Sequence, residues 1–499
     1  MKHFIILTII VYTGIMIQAC NQSSIKSVTI VSKEDPTISV RFLFNVGSQN
    51  DPAGKEGLAS ITAEMLADAS TRVNSYNEIL DKLYPLAASY SAQVDKEQTV
   101  IIGRTHKDNW EAYYQLIKEA ILQPAFKEED FNRIKSQTLN YLENTLRYSN
   151  DEELGKQALN RFIFKGTSYG HPEAGLIASV KNLTIDDVKE FYRQFYTQTN
   201  LIIGLGGDVD KNMLQQIRRD MQTLPVAGPP TPPIPEPEPI NGLEVLLIEK
   251  NTNSTAISLG FPIDLERGDP DFMAMWLANS WFGEHRNSSS HLFQVIREAR
   301  GLNYGDYSYI EAFPNGDARI FPPQNVARRK QIFQIWIRPV QNRARHFALR
   351  AAMRELQKLV DNGLTEEQFE LTKKFLSKYY LHYAPTTMKK LGYRLDDYFY
   401  GLKKPFLDTF EQQLDALTLE QVNGAIKKHL QYKNIKIVMV TQGAETLKRD
   451  LVENRPSPMK YTSPKPQSVL NEDKEIETYP LDIKAEKVKI SKIEDMFVE

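Results

Sequence analysis

Residues 225–239 hold eight prolines in fifteen positions, and they constrain everything on either side. Proline fixes φ and carries no N–H, so this stretch is neither helix nor inner strand. It reads as an extended spacer, rising about 3.1 Å per residue. The sequences flanking it repeat each other. Leu183-Thr184-Ile185-Asp186-Asp187-Val188 returns as Leu417-Thr418-Leu419-Glu420-Gln421-Val422, 234 positions later. Glu128-Glu129-Asp130-Phe131 returns as Glu366-Glu367-Gln368-Phe369, 238 positions later, with Lys135 matched by Lys373. Two matches in the same order at nearly one offset mark an internal duplication. Whatever this chain folds into, it builds twice.

Each copy has the same order of elements. Thr184 and Thr418 read as helix N-caps with acids in the first turn, and each helix leads into an apolar strand, 201–205 and 435–440. Strands open both halves, 28–31 and 38–46 in the first, 245–248 and 256–261 in the second. The second of each pair alternates, which suits a sheet with one buried face. Long helices follow, such as 110–122 and 347–360. The pattern predicts an α+β fold of two homologous halves, each with an antiparallel sheet and helices on one face. The divisions expected are a first half at 20–224, a linker at 225–241, a second half at 242–454 and a tail at 455–499. Pro456, Pro458, Pro464 and Pro466 open the tail. Leu481, Ile483, Val488 and Ile490 then suggest a short edge strand, with disorder as the other reading.

A composition of 41% hydrophobic and 25% charged residues over 499 positions is that of a globular chain long enough for more than one domain. A net charge of −2, with both signs interspersed, offers no surface for nucleic acid. With Cys20 as the one cysteine, an internal disulfide is excluded. Residues 1–19 read as a targeting segment: Lys2, then an apolar run at 4–17 too short to span a bilayer comfortably. Ile17-Gln18-Ala19-Cys20 resembles a bacterial lipoprotein cleavage box, in which the sulfur of Cys20 takes a diacylglycerol. That resemblance implies membrane contact through a lipid anchor only, in the cell envelope. Asn21 after the lipidated Cys implies the outer membrane, facing the periplasm. A plain secretion signal is the alternative, and no later run approaches a membrane span.

Gly57 to Leu66, with Phe42 to Ser48 before it and Ala69-Ser70-Thr71 after it, resembles the active-site helix of the insulinase/pitrilysin-type peptidases. Those enzymes carry the inverted zincin signature H-x-x-E-H. Here Ser60, Ala63 and Glu64 stand at the three signature positions. The position of the third ligand, a Glu further along the chain in active relatives, falls on Gln137 or Thr138. Catalytic zinc needs three ligands of His, Cys or carboxylate type, usually two on one helix face. No two of the eight His are four apart, and His285 and His291, six apart, would point to different sides of a helix. No metal is therefore expected on this chain. Glu64 is expected to be a helix-face carboxylate with a salt-bridge partner, and Leu58, Ile61 and Met65 to keep the helix for packing.

In the second half, Ser290 to Gly305 resembles the same family's C-terminal substrate-binding element. There an Arg and a Tyr seven residues apart cross a closed chamber to the zinc site, hold the substrate backbone and stabilise the oxyanion. Arg297 and Tyr304 match both types and the spacing. Arg offers a fixed fork of donors and Tyr a hydroxyl on a rigid ring. The resemblance spans 24–451 and implies two homologous halves, each of two α/β units, closing like a clamshell around a cavity. It further implies a non-catalytic subunit of a two-chain zinc metallopeptidase, with zinc on a paralogous partner and substrate-binding Arg297 and Tyr304 supplied from this chain for peptide hydrolysis. The alternative is a peptide-binding or structural scaffold subunit with no part in catalysis. An independently active zinc protease would need ligands that the sequence lacks.

Overall fold

The computed structural model of the chain describes residues 25–316 and 318–499; the targeting segment and Cys20 lie outside them. Among the described residues the strands form two sheets. The first holds β1 (Lys26–Val31), β2 (Thr37–Phe44), β3 (Ser89–Val94), β4 (Thr99–His106) and β5 (Leu201–Gly207), in the order β1-β5-β2-β4-β3. The second holds β6 (Leu243–Glu249), β7 (Ser254–Ile263), β8 (Asp306–Tyr309), β9 (Gln331–Gln341) and β10 (Ile435–Thr441), in the order β6-β10-β7-β9-β8. The two orders are one topology, so the duplication read from sequence is a duplication of fold.

The repeat reaches single hydrogen bonds. Thr184 and Thr418 each cap a helix in a reciprocal capping box. Lys135 Nζ donates to the carbonyls of Lys181 (2.8 Å) and Leu183 (2.9 Å). Lys373 Nζ donates to those of Asp415 (2.8 Å) and Leu417 (3.1 Å), the same two positions of the second copy. A lysine tying off the carbonyl end of the preceding helix satisfies acceptors that have no intrahelical partner.

Two details differ from the expected sheets. They are mixed: β1 runs parallel to β5, and β6 parallel to β10, while the other pairs within the repeat are antiparallel. Alternation within a strand reports which face is buried and is silent on the direction of a neighbour more than 150 residues away. Helices also cover both faces rather than one. In the first half α1 (Leu58–Ala67) and α2 (Glu128–Asn140) lie on one face. The next helix, α3 (Asp151–Ile163), crosses to pack on β7 and β10 of the second sheet. In the second half α4 (Arg345–Asn362) lies beside β9, and α5 (Thr387–Phe399) crosses back onto β5, β1 and β2. The halves thus exchange equivalent helices. Missing side chains let the exchanged helices come close. A Cβ on Gly204 of β5 would stand 3.0 Å from Leu395 of α5, and one on Gly155 of α3 would stand 3.1 Å from Ser258 of β7. Leu395 is fully buried among Leu43, Val100 and Ile202 of the first sheet.

The tail is ordered. After α6 (Gln467–Ile476), Leu481 and Ile483 enter the second core, and β11 (Val488–Lys492) pairs in parallel with β6 at the sheet edge. Ile493, Met496 and Phe497 then close the core of the first half. The proline-rich spacer holds no helix or strand and is fastened to both sides: Gln198 and Thr199 donate their N–H to Pro225 and Val226 O, and Arg329 donates to Pro232 O.

Candidate functional site

α1 begins under tight control. Asp51 accepts the N–H groups of Gly57 and Ala59, both at 2.7 Å, and so caps a helix whose own N-cap, Gly57, has no side chain. Gly57 sits at φ 104°, a conformation glycine takes freely, and a Cβ there would meet Ala174 O at 2.7 Å. Complete burial pushes the Asp51 carboxyl up to about 8, against the pull of its two N–H donors. Leu58, Ile61 and Met65 face the core as the spacing predicts, at 2% exposure or less.

Ser60 donates its hydroxyl to Glu173 O, and Ala63 is fully buried. Glu64 reaches water but is closely surrounded. Lost hydration, then the neighbouring Asp68 charge, push its carboxyl up to about 7, with Arg133 opposing. The expected ion pair does not form among the described residues: the nearby cation, Arg133, binds Asp68 through Nη1 at 2.7 Å and its guanidinium lies over the Tyr76 ring. On α2, Gln137 is exposed and Thr138 donates back to Ile134 O at 3.0 Å. A serine, an alanine, one carboxylate and a nearby guanidinium do not make a zinc site, since the cation needs several anionic or imidazole donors and is repelled by Arg. Among the described residues no three His, Cys, Asp or Glu converge as metal ligands. His285 bonds Tyr309 and Arg319 O, while His291 bonds Glu355 at 2.7 Å and stacks on Trp281, so the two imidazoles serve separate partners.

A cleft of about 160 Å³ opens beside this region, walled by Val94, Tyr141, Glu173 and Ala174 from the first half and by Pro314 and Arg319 from the second. Sequence reasoning missed its second-half wall, which comes from the segment between β8 and β9. The first half has only the short turn Asp95 to Gln98 at that place. The long segment clamps the short one: Arg328 binds Asp95 through Nε (2.6 Å) and Nη2 (3.0 Å), and Arg329 binds Glu97 at 2.6 Å. Asp95 and Glu97 are 2% exposed and Lys96 fully buried. Lys96 in turn pairs with Glu173 at 3.0 Å. The charge-rich turn in the sequence was the available signal, and it serves to join the halves.

Arg297 lies on a π-helical turn, Phe293–Glu298. It stacks on Phe293 and pairs with Glu298. Its side chain is 39% exposed, and Tyr304, on the loop that follows, is 80% exposed. This turn packs on α4 and β8, whereas α1 packs on β3, on α2 and on the helix Ile185–Phe195. The structure therefore holds the Arg/Tyr pair and the degenerate helix on separate supports, with no hydrogen bond or ion pair between them among the described contacts.

Comparison with known proteins fits this geometry. Residues 27–175 match the family described as Insulinase (Peptidase family M16), and residues 182–376 match the Peptidase M16 inactive domain. An uncharacterized zinc protease of Streptomyces coelicolor is 26% identical over 65% of this chain and 67% of its own length. A non-peptidase homolog of Helicobacter pylori is 22% identical over 88% of this chain and 99% of its own. The crystal structure of a peptidase M16 inactive domain from Pseudomonas fluorescens superposes with a TM-score of 0.72 at 25% identity, covering 83% of this chain and 95% of that one. Two successive domain matches, one repeated topology and one shared fold make this chain a member of the insulinase (M16) metallopeptidase family, with the fold of its inactive-domain and non-peptidase members.

Proposed function

We propose that the chain is the non-catalytic subunit of a two-chain zinc metallopeptidase, lending Arg297 and Tyr304 to a zinc-bearing paralogue that hydrolyses peptides. One contrast carries the reading: the metal positions hold Ser60, Ala63 and Glu64, while Arg297, partly exposed, and Tyr304, largely exposed, keep the family's residue types. Exposed donors of this kind suit a second chain's active site, where a positioned guanidinium and hydroxyl stabilise developing negative charge. The family includes relatives named as zinc proteases and as non-peptidase homologues, the two kinds of chain such a pair requires. Lipidation at Cys20 would hold the pair at the outer membrane, facing the periplasm. No helix among the described residues is long and apolar enough to cross a membrane.

The test is co-expression with a paralogue bearing intact H-x-x-E-H. The two should co-purify, with zinc on the paralogue. Arg297→Ala should lower peptide turnover by about 10²- to 10³-fold and leave the pair assembled. Peptide cleavage by this chain alone, lost on chelation, would overturn the proposal. A scaffold role, which the non-peptidase name of the Helicobacter relative favours, predicts unchanged turnover in Arg297→Ala.

A further inference from the structure

Residues 455–499 lie beyond both family matches, and part of this tail converges on one side chain of the Arg297–Tyr304 segment. That side chain is Arg300, three residues from Arg297 and four from Tyr304, and it is 1% exposed. Its Nε donates to Asp473 Oδ1 at 2.8 Å, its Nη2 to Glu472 Oε2 at 2.8 Å, and its Nη1 back to Val295 O at 2.7 Å. Both acids belong to α6. Tyr461, also in the tail, donates to the other Asp473 oxygen at 2.7 Å. Glu472 is held in turn by Arg354 of α4 at 2.9 Å. One guanidinium thus joins the π-helical turn, the tail helix and, through Glu472, α4. The far end of the loop is fixed separately: Asn303 Nδ2 donates to Asp306 at 2.8 Å and to Arg338 O at 3.0 Å.

We propose that the tail braces the Arg297–Tyr304 segment, with Arg300 as a positioning residue that sets the direction in which the pair is presented to a partner's active site. The proposal rests on the function proposed above. Ordering the eight residues from Arg297 to Tyr304, several of them exposed, costs conformational entropy, and charge-assisted bonds to a buried guanidinium are strong enough to hold them. The contact is separable from the rest of the tail, because Leu481, Ile483, Val488 and Phe497 fasten the chain downstream by apolar burial. Neutralising the acids therefore loosens the brace without freeing the tail.

The experiment uses the full chain carrying Glu472→Gln with Asp473→Asn, and separately Tyr461→Phe. Amide hydrogen exchange should rise at least about tenfold across residues 295–305 in the double variant, less in Tyr461→Phe, and remain unchanged in α2. In the co-purified pair the double variant should lower kcat about tenfold with KM little changed, as expected when a group that acts in the transition state is misdirected. Unchanged exchange at 295–305 overturns the brace. So does unchanged turnover in the double variant when Arg297→Ala lowers it. If Arg297→Ala itself leaves turnover unchanged, the functional proposal falls, and the exchange result alone decides the brace.

Discussion

Glu284 follows directly after the helix Phe272–Gly283, 7% exposed, and burial pushes its carboxyl up to about 7. A carboxyl whose native pKa lies above its unfolded value binds its proton more tightly in the folded chain. The unfolded chain then releases that proton first, and stability falls as pH rises from about 4.5 to about 7. Glu284→Gln removes this loss, so its stability should decline less than wild type over that interval, by on the order of 3 kcal/mol at most. Urea denaturation at pH 5 and pH 8 measures the difference, and parallel declines would contradict it. At this scale the sequence was legible where chemistry is local. The threonine caps and the matched lysines could be read from spacing because each bonds within its own helix or the helix beside it. Glu64 could not. The cation near it, Arg133, is on α2 and binds Asp68, a choice set by how two helices cross.

Among elements, the tail departs furthest from what alternation alone could promise. Its apolar positions suggested an edge strand, and β11 forms at Val488–Lys492. Leu481 and Ile483 are buried without being strand, because they serve the second core as anchors rather than as rungs of a ladder. Phe497 is 1% exposed in the core of the other half. Its replacement by alanine should cost about 3 to 5 kcal/mol, lower the melting temperature, and open the segment around Ile177 to protease, since the N–H groups of Ile177 and Ala178 donate to Phe497 and Val498 O. Phe497→Ala melting like wild type would show that the contact contributes little. The exchange of α3 and α5 was hidden for a related reason. Most of α3 is buried, including Glu152, Glu153 and Lys156, so its pattern marks it as covered and leaves open which sheet covers it.

In the whole molecule, the two halves share their packing. Each sheet takes one of its covering helices from the other half, and the first core includes Ile248, Ala256, Val438 and Val440 of the second. Leu395→Ala, a substitution in the second half, should destabilise the first by about 2 to 5 kcal/mol, and unfolding should remain a single transition by calorimetry and by tryptophan fluorescence. Two separated transitions would show that the exchanged helices couple the halves weakly. Sequence revealed the duplication and its punctuation because both are written in residue types. It could not reveal the interlock, which is a fact about distance.

That interlock and the tail together impose an order on synthesis. As the chain leaves the ribosome, β1 appears long before its parallel neighbour β5, and the first sheet then waits for residues 387–399 to cover its outer face. Its core waits longer still, for Phe497. A domain made first commonly folds first, but here the earliest half is the one that cannot close early. Nearly the entire sequence must be available, unfolded or partly folded, before either half reaches its final packing, and with pairings this distant in sequence that step should be slow.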